Sequence, residues 1–442
     1  MSIRIDLDSL LQVAQELAYD SPGTLIPLLH TNRQIYDLAS HLLLLRPDGS
    51  YVRVLLPADG DSGGQRRVEG FRDFVLGLKS RHSRRFYLRK LHLEPPWVDS
   101  YLSRDSMKML AEVFDPCFRH PSQDTSPLES TVQLETLRLW MDGLDEMVPL
   151  ASHLLRLEVE TLRTFVCETP WSLPLARLFK EVRAPLRILD LNGKPGLYPL
   201  HNLAPLRDTL QELRISLPNA GIFDLTATEG GDIPVFPNVS TLKILGWVII
   251  VNTKTLIETF PSLRHLDIRA DVTLRRAYRW SFRPPQRDEN IKAMAGCGGN
   301  LWSELHSVAG SVQMLYDLAL TCKVYLLYLY NADHELDNAG KARDVCADVR
   351  PEILHYCCPL SGAFPTCASA LEGCASSVKE FSMEVLLGGL SGDGYGDGLN
   401  HEGKQREIVS VSFYCGVAVE LNRLRHRQTF SRESWPLSRL LG

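Results

Sequence analysis

One six-residue phrase returns four times through the middle of the chain. It runs Leu186-Arg-Ile-Leu189-Asp-Leu191, Leu210-Gln-Glu-Leu213-Arg-Ile215, Val239-Ser-Thr-Leu242-Lys-Ile244 and Leu263-Arg-His-Leu266-Asp-Ile268. Each copy is an aliphatic residue, two mostly polar ones, an aliphatic, a polar and an aliphatic, and the copies open 24 to 29 residues apart. In a strand, alternate side chains face opposite sides. Leu189 and Leu191 therefore point one way, while Ile188, Asp190 and Asn192 point the other. A single copy cannot bury its aliphatic side, but stacked neighbours can, each covering the next with a parallel strand and a returning helix or turn. An ordinary sheet of βαβ units predicts longer and more uniformly apolar strands.

A phrase of this kind at this period is the signature of a leucine-rich repeat solenoid. The same pattern occurs earlier, at Leu88-Arg-Lys-Leu91-His-Leu93, Leu134-Glu-Thr-Leu137-Arg-Leu139 and Leu154-Leu-Arg-Leu157-Glu-Val159. It persists with substitutions at Val324-Tyr-Leu-Leu327-Tyr-Leu329, Val378-Lys-Glu-Phe381-Ser-Met383 and Ile408-Val-Ser-Val411-Ser-Phe413, and fits poorly over 301–308. Helical spacing predicts returns at 68–79, 104–114, 173–182, 202–208, 311–321 and 342–355. The predicted fold class is α/β: an irregular solenoid over 50–420, with parallel strands on its concave face and loops of unequal length. A basic cap or tail occupies 421–442.

Residues 5–47 differ in character from the remainder of the chain. Asp8 is placed to cap a helix carrying Leu10, Leu11, Ala14, Leu17 and Ala18 at helical spacing. Ser21-Pro22 is an N-cap followed by proline at the first helical position, opening a helix with Leu25, Leu28 and Leu29. A third places Ile35, Leu38, Ala39, Leu42 and Leu43 on one side. This small three-helix unit resembles the F-box, in particular the F-box-like modules that precede leucine-rich repeats in many fungal proteins. The resemblance rests on Asp6-Leu-Asp-Ser-Leu-Leu11, Leu25-Ile-Pro-Leu-Leu29 and Leu29-His-Thr-Asn-Arg-Gln-Ile-Tyr36, about a tenth of the chain. The family's opening Leu-Pro pair is absent, and Tyr36 stands where tryptophan is common. The resemblance implies an apolar helical surface laid on a Skp-type adaptor of a ubiquitin ligase. Its candidate contacts are Leu7, Leu10, Leu11, Leu28, Leu29 and Ile35. The alternative is that these leucines form the unit's own core and cap the first repeat.

Composition narrows the function classes. A net charge of −5 over 442 residues leaves no whole-chain basic footprint for nucleic acid or an anionic membrane. Arg81, Arg84, Arg85, Arg89 and Lys90 are a conceivable nucleic-acid stripe, but alternating charges and the acidic total favour a solvated helix end. The longest apolar stretches, 246–251 and 314–330, are too short or too interrupted to span a bilayer. With no signal-like segment, the expected setting is the cytoplasm and/or the nucleus, where the ten cysteines stay largely reduced.

No catalytic constellation stands out, and neither a metal nor a cofactor is expected. Cys346, Cys357, Cys358, Cys367 and Cys374, with His355, form the densest thiol group, yet no pair has the two-residue separation of structural zinc sites. The glycine-rich run 388–398 lacks the Lys-Ser/Thr ending of a phosphate loop and the alternating carboxylates of a calcium loop. What remains is recognition of a protein substrate. The third, fifth and seventh positions of each phrase face away from the core. The expected target-binding residues among them are His92, Arg138, Trp140, Glu158, Asp190, Arg214, Lys243, Asp267 and Arg269, with Trp140 as an aromatic anchor.

Overall fold

The computed structural model describes residues 7–20, 22–31, 35–36, 39–45, 50–58, 60–76, 84, 87–94, 103–114, 134–140, 163–168, 179, 182, 184–192, 200–224, 234–250, 252–270, 286–295, 302–330, 338–359, 363–386 and 408–414. The chain divides into two compact units, 1–263 and 264–442. Both are α/β, with strands that follow one another across the sheet in chain order. The expected phrase at 154–159, the loop at 388–398 and the tail at 421–442 lie outside the described residues.

The first unit opens with helices α1 (Leu7–Asp20), α2 (Pro22–Thr31) and α3 (Leu42–Leu45). Pro22 begins α2 as its spacing predicts, whereas α1 starts at Leu7, one residue ahead of the expected cap Asp8. The third helix is broken. Residues 35–36 are helical, 40–41 make a turn, and α3 comes after it. Ala14, Leu25, Leu29, Ile35, Ala39 and Leu42 are the buried centre, flanked by Leu10, Leu11, Leu17, Leu28, Tyr36 and Leu43.

Next come β1 (Val52–Leu55), α4 (Ser62–Leu76), β2 (Lys90–Glu94), α5 (Arg104–Phe114), β3 (Thr136–Trp140), β4 (Thr164–Glu168) and β5 (Ile188–Asn192). A 3-10 helix (Leu200–Leu206), β6 (Glu212–Asp224), β7 (Thr241–Ile250) and α6 (Thr253–Thr259) complete the unit. Strands β1 to β7 pair in parallel with the phrases in register, Leu137 opposite Phe165, then Leu189, Leu213 and Leu242. All five of these side chains are fully buried. Burying each contributes about 1.5–3 kcal/mol.

The strand between β3 and β5 is β4, so the repeat there is Leu162-Arg-Thr-Phe165-Val-Cys167. Phe165 and Cys167 replace aliphatic residues, and Phe165 packs edge-on against Phe179 at 6.1 Å. A backbone ladder fixes the assignment. The carbonyl of each phrase's second residue accepts the N–H groups of the next phrase's second and third residues. Glu135 O accepts from Arg163 and Thr164, and Arg163 O from Arg187 and Ile188. β6 and β7 run past the phrase, pairing again from Ile222 opposite Val248 after an irregularity beyond Leu217.

Two expectations about 59–90 change. Helix α4 begins at Ser62, ahead of the expected start at 68, because the Asp61 carboxylate accepts from Gly64 N at 2.9 Å and caps it. Arg84 is not a solvated residue but is buried, at 5 % exposure. Its Nε donates to Ser40 Oγ at 2.8 Å and its Nη1 to Phe74 O at 3.0 Å. The guanidinium also lies 5.3 Å from the Tyr36 ring and 4.8 Å from that of Phe74. It ties the N-terminal helices to α4.

The second unit contains β8 (His265–Ala270), α7 (Gln286–Ala295), β9 (Glu304–Ser311), α8 (Val312–Leu318), β10 (Lys323–Tyr330) and α9 (Asn338–Val349). It ends with β11 (Ile353–Pro359), α10 (Ala363–Cys374), β12 (Glu380–Leu386) and β13 (Ile408–Tyr414). β8 to β12 are parallel neighbours. The register sets the β9 phrase at Leu305-His-Ser-Val308-Ala-Gly310, not at 301–308. Gly310 takes the place of an aliphatic residue because Leu315 of α8 fills that space. A Cβ on Gly310 would stand 2.8 Å from Ile268 O and 2.9 Å from Leu315 Cδ2.

Helix α9 stops at Val349, so 353–355, expected to be helical, are strand. Arg350 has φ +46°, a left-handed residue that ends the helix, and Pro351 cannot continue it. The Pro351-Glu-Ile-Leu354-His-Tyr356 phrase then takes up the repeat, with Leu354 opposite Leu327 and Phe381. The expected parallel phrase at 408–413 is instead antiparallel, with Ile408 opposite Leu386 and Tyr414 opposite Glu380. Among the described residues no helix is long and apolar enough to cross a membrane.

Candidate recognition faces

In each unit the sheet face opposite the core collects the polar and aromatic side chains. In the first unit, the fifth positions of β5, β6 and β7 place Asp190, Arg214 and Lys243 side by side. Glu212 links them. Its carboxylate accepts from Arg214 Nε at 2.7 Å and lies 3.7 Å from Lys243 Nζ, while Arg214 Nη1 stands 3.7 Å from Asp190. The hydrogen bond that Arg214 donates to Glu212 raises the Arg214 pKa above its usual value. Glu212, at the third position of the β6 phrase and so on the same face, is not among the expected target-binding residues.

The other candidates of this unit divide. His92 is buried at 3 % exposure, with Nδ1 3.2 Å from Glu94, so its side chain is not offered to a partner; this corrects the expectation. The Tyr51 ring covers it edge-on at 6.0 Å. Arg138 is half-buried, 6.0 Å from the same ring. Trp140 ends β3, but its side chain, like all of Glu158, lies outside the described residues.

In the second unit Asp267 and Arg269 do meet. Arg269 Nε and Nη2 donate to the two carboxylate oxygens at 2.7 and 2.8 Å, and the guanidinium sits 4.4 Å from the centre of the Tyr330 ring. Burial opposes the Arg269 charge, but the Asp267 hydrogen bond and charge prevail and raise its pKa. Beyond this pair the face becomes aromatic. Tyr328 stacks on His355 at 4.6 Å and 12°, and His355 Nδ1 contacts Ser382 Oγ. At the strand entrance Tyr325 stacks on His306 at 5.2 Å, and His306 meets His265 edge-on at 5.1 Å. His265 Nδ1 is 2.8 Å from Ser307 Oγ. None of these tyrosines was singled out from the sequence, although Tyr328 and Tyr330 occupy the fifth and seventh positions of the β10 phrase.

Four of the five clustered cysteines belong to the core, and Cys357 is half-buried. Cys346, Cys358, Cys367 and Cys374 are buried free thiols. Burial pushes Cys358 and Cys367 up to about 12, so both stay protonated and unreactive. Among the described residues no group of three or more His, Cys, Asp or Glu is arranged to hold a metal ion.

A scan of protein-family models found no match to the chain, and a search of curated proteins found none either.

Proposed function

We propose that this protein is a recognition subunit of the leucine-rich repeat type. In this reading the N-terminal helices engage a Skp-type adaptor of a Skp–cullin–F-box ubiquitin ligase, in the cytoplasm and/or nucleus, and the repeat faces hold a protein substrate. Ubiquitin transfer would be carried out by other subunits. The observation that carries the reading is a group of N-terminal helices with its own buried centre, ahead of parallel repeat strands whose faces bear charged and aromatic side chains. Such faces match the composition of protein-binding surfaces.

Burial redistributes the candidate adaptor contacts. Leu29 and Ile35 are 3 % and 1 % exposed and belong to the unit's own core. Leu10, Leu11 and Leu28 pack against that core, and the Leu7 side chain lies outside the described residues. Among the described residues of this unit the exposed large apolar positions are Val13 and Ile26, each 47 % exposed, and Leu45 at the end of α3. The burial of Leu29 and Ile35 also fits the second reading, a protein-binding scaffold whose helices only cap the first repeat.

The test is capture of the purified adaptor by the full chain, compared with a Val13→Asp/Ile26→Asp variant, which leaves the helical core intact. The ligase reading expects wild-type capture and loss in the variant. No capture, or equal capture by both, leaves the scaffold reading.

A further inference from the structure

The seventh positions of β10, β11 and β12 place Tyr330, Cys357 and Glu384 in one row across the second unit's sheet. Neighbouring strands lie about 4.8 Å apart, so Tyr330 and Glu384 stand roughly 10 Å apart at the backbone. The small half-buried Cys357 between them leaves a notch. Its floor is a thiol, one wall a phenol ring, and the other an exposed carboxylate.

The charges around the notch are already allotted, with one exception. Asp267 is held by both nitrogens of Arg269, whose guanidinium lies against Tyr330 from the β8 side and whose charge is felt at Cys357. Glu384 makes no ion pair among the described residues. Burial above all opposes ionisation of Cys357 and Tyr330, and the Glu384 charge adds to it at both. An aromatic face set beside an uncommitted carboxylate is the chemistry that receives an ammonium or a guanidinium. The unit shows the same arrangement internally, since Asp267 holds the Arg269 guanidinium against Tyr330.

We infer that the Tyr330–Cys357–Glu384 notch seats a basic side chain of the partner, so that this face selects a protein segment rich in arginine or lysine. The inference rests on the recognition half of the proposed function and is independent of adaptor capture. The cation lies over Cys357, paired with Glu384 and resting against the ring of Tyr330. Both fixed partners stand on strands, so the seat is formed before the partner arrives.

The experiment titrates the full chain at physiological salt into fluorescein-labelled octa-arginine, octa-lysine and octa-glutamate peptides and tracks anisotropy. The basic peptides should bind saturably and the acidic one should not. Glu384→Gln should weaken binding roughly tenfold. Glu304→Gln, which removes another exposed carboxylate from β9, should leave it unchanged. Bound octa-arginine should also slow alkylation of Cys357 by iodoacetamide more than that of Cys322. Absence of binding, equal binding of octa-glutamate, or equal losses in the two glutamine variants overturns the proposal. Adaptor capture lost with peptide binding intact defeats only the ligase reading, and the reverse pattern defeats only this one.

Discussion

The most demanding consequence of the fold concerns Gly373, in the last turn of α10 where that helix crosses α9. A Cβ at this position would lie 2.9 Å from the carbonyl carbon of Arg343 and 3.1 Å from its Cα, overlapping its oxygen. Real Cβ atoms essentially never approach within 3.0 Å, and the obstacle is backbone rather than a side chain that can rotate away. Gly373→Ala therefore requires the two helices to part by about 1 Å, and overpacking of this kind costs about 1–3 kcal/mol. Against this stands helix propensity, which favours alanine by up to about 1 kcal/mol, less near a helix end. The clash wins, for a net loss of about 1–2 kcal/mol.

In a unit of this size the loss lowers Tm by roughly 2–8 °C, measurable by scanning calorimetry. The control is Gly70→Ala in α4, where nothing lies within 4 Å of the added Cβ. It should raise stability by about 0.5–1 kcal/mol through the same propensity term. Parting the helices should also expose Cys346 and Cys374, so their reaction with an aromatic disulfide reagent should accelerate in Gly373→Ala alone. If Gly373→Ala stabilises the chain as Gly70→Ala does, the close approach of α9 and α10 is refuted.

Other perturbations test the same packing. Leu213→Ala, at a fully buried fourth position of β6, should cost about 2–5 kcal/mol by urea unfolding, and no loss would mean the phrase does not face the core. Arg84→Ala removes hydrogen bonds to Ser40 and Phe74 O; a cost of about 1.5–3 kcal/mol should appear as faster proteolysis of the first 45 residues. The Lys323 and Lys379 hydrogen bonds hold the Glu352 carboxyl down to about 2 from its usual 4.5. A depressed carboxylate stabilises the fold above its unfolded pKa. That contribution is complete above about pH 5 and is lost as the pH falls through 4.5 towards 2. The Tm difference between wild type and Glu352→Gln should therefore shrink over this window, and because the lysines are exposed it should also shrink in salt.

The parts of the fold legible in the sequence were those where aliphatic side chains carry the period. The phrases that become β5, β6, β7, β10 and β12 all fall on strands, and α5 spans 104–114 as its spacing predicts. Where other atoms do the same work, the pattern hides. At β4 an aromatic fills the fourth, buried position, and at β9 a glycine yields its volume to a leucine from the succeeding helix. The α9–β11 junction was misplaced because Ile353 and Leu354 satisfy helical and strand spacing alike, and only the left-handed Arg350 decides between them. Strand direction carries no side-chain period, so nothing in 408–413 marked β13 as reversed. The candidate site was half legible. Spacing placed Asp190, Arg214, Lys243, Asp267 and Arg269 on open faces, but it could not foresee that His92 is enclosed, or that Tyr330 and Glu384 flank a small residue.

The reversal of β13 has a consequence for how long such a chain can grow. Stacked parallel units contain no internal instruction to stop, because every finished strand offers its successor the same free edge. Here the Glu352 carbonyl passes the ladder to Lys379 and Glu380, and the next place beside β12 is taken by a strand running the wrong way. A further copy of the phrase, from this chain or another, finds that berth occupied. Among the described residues, then, polarity marks where the parallel count gives way.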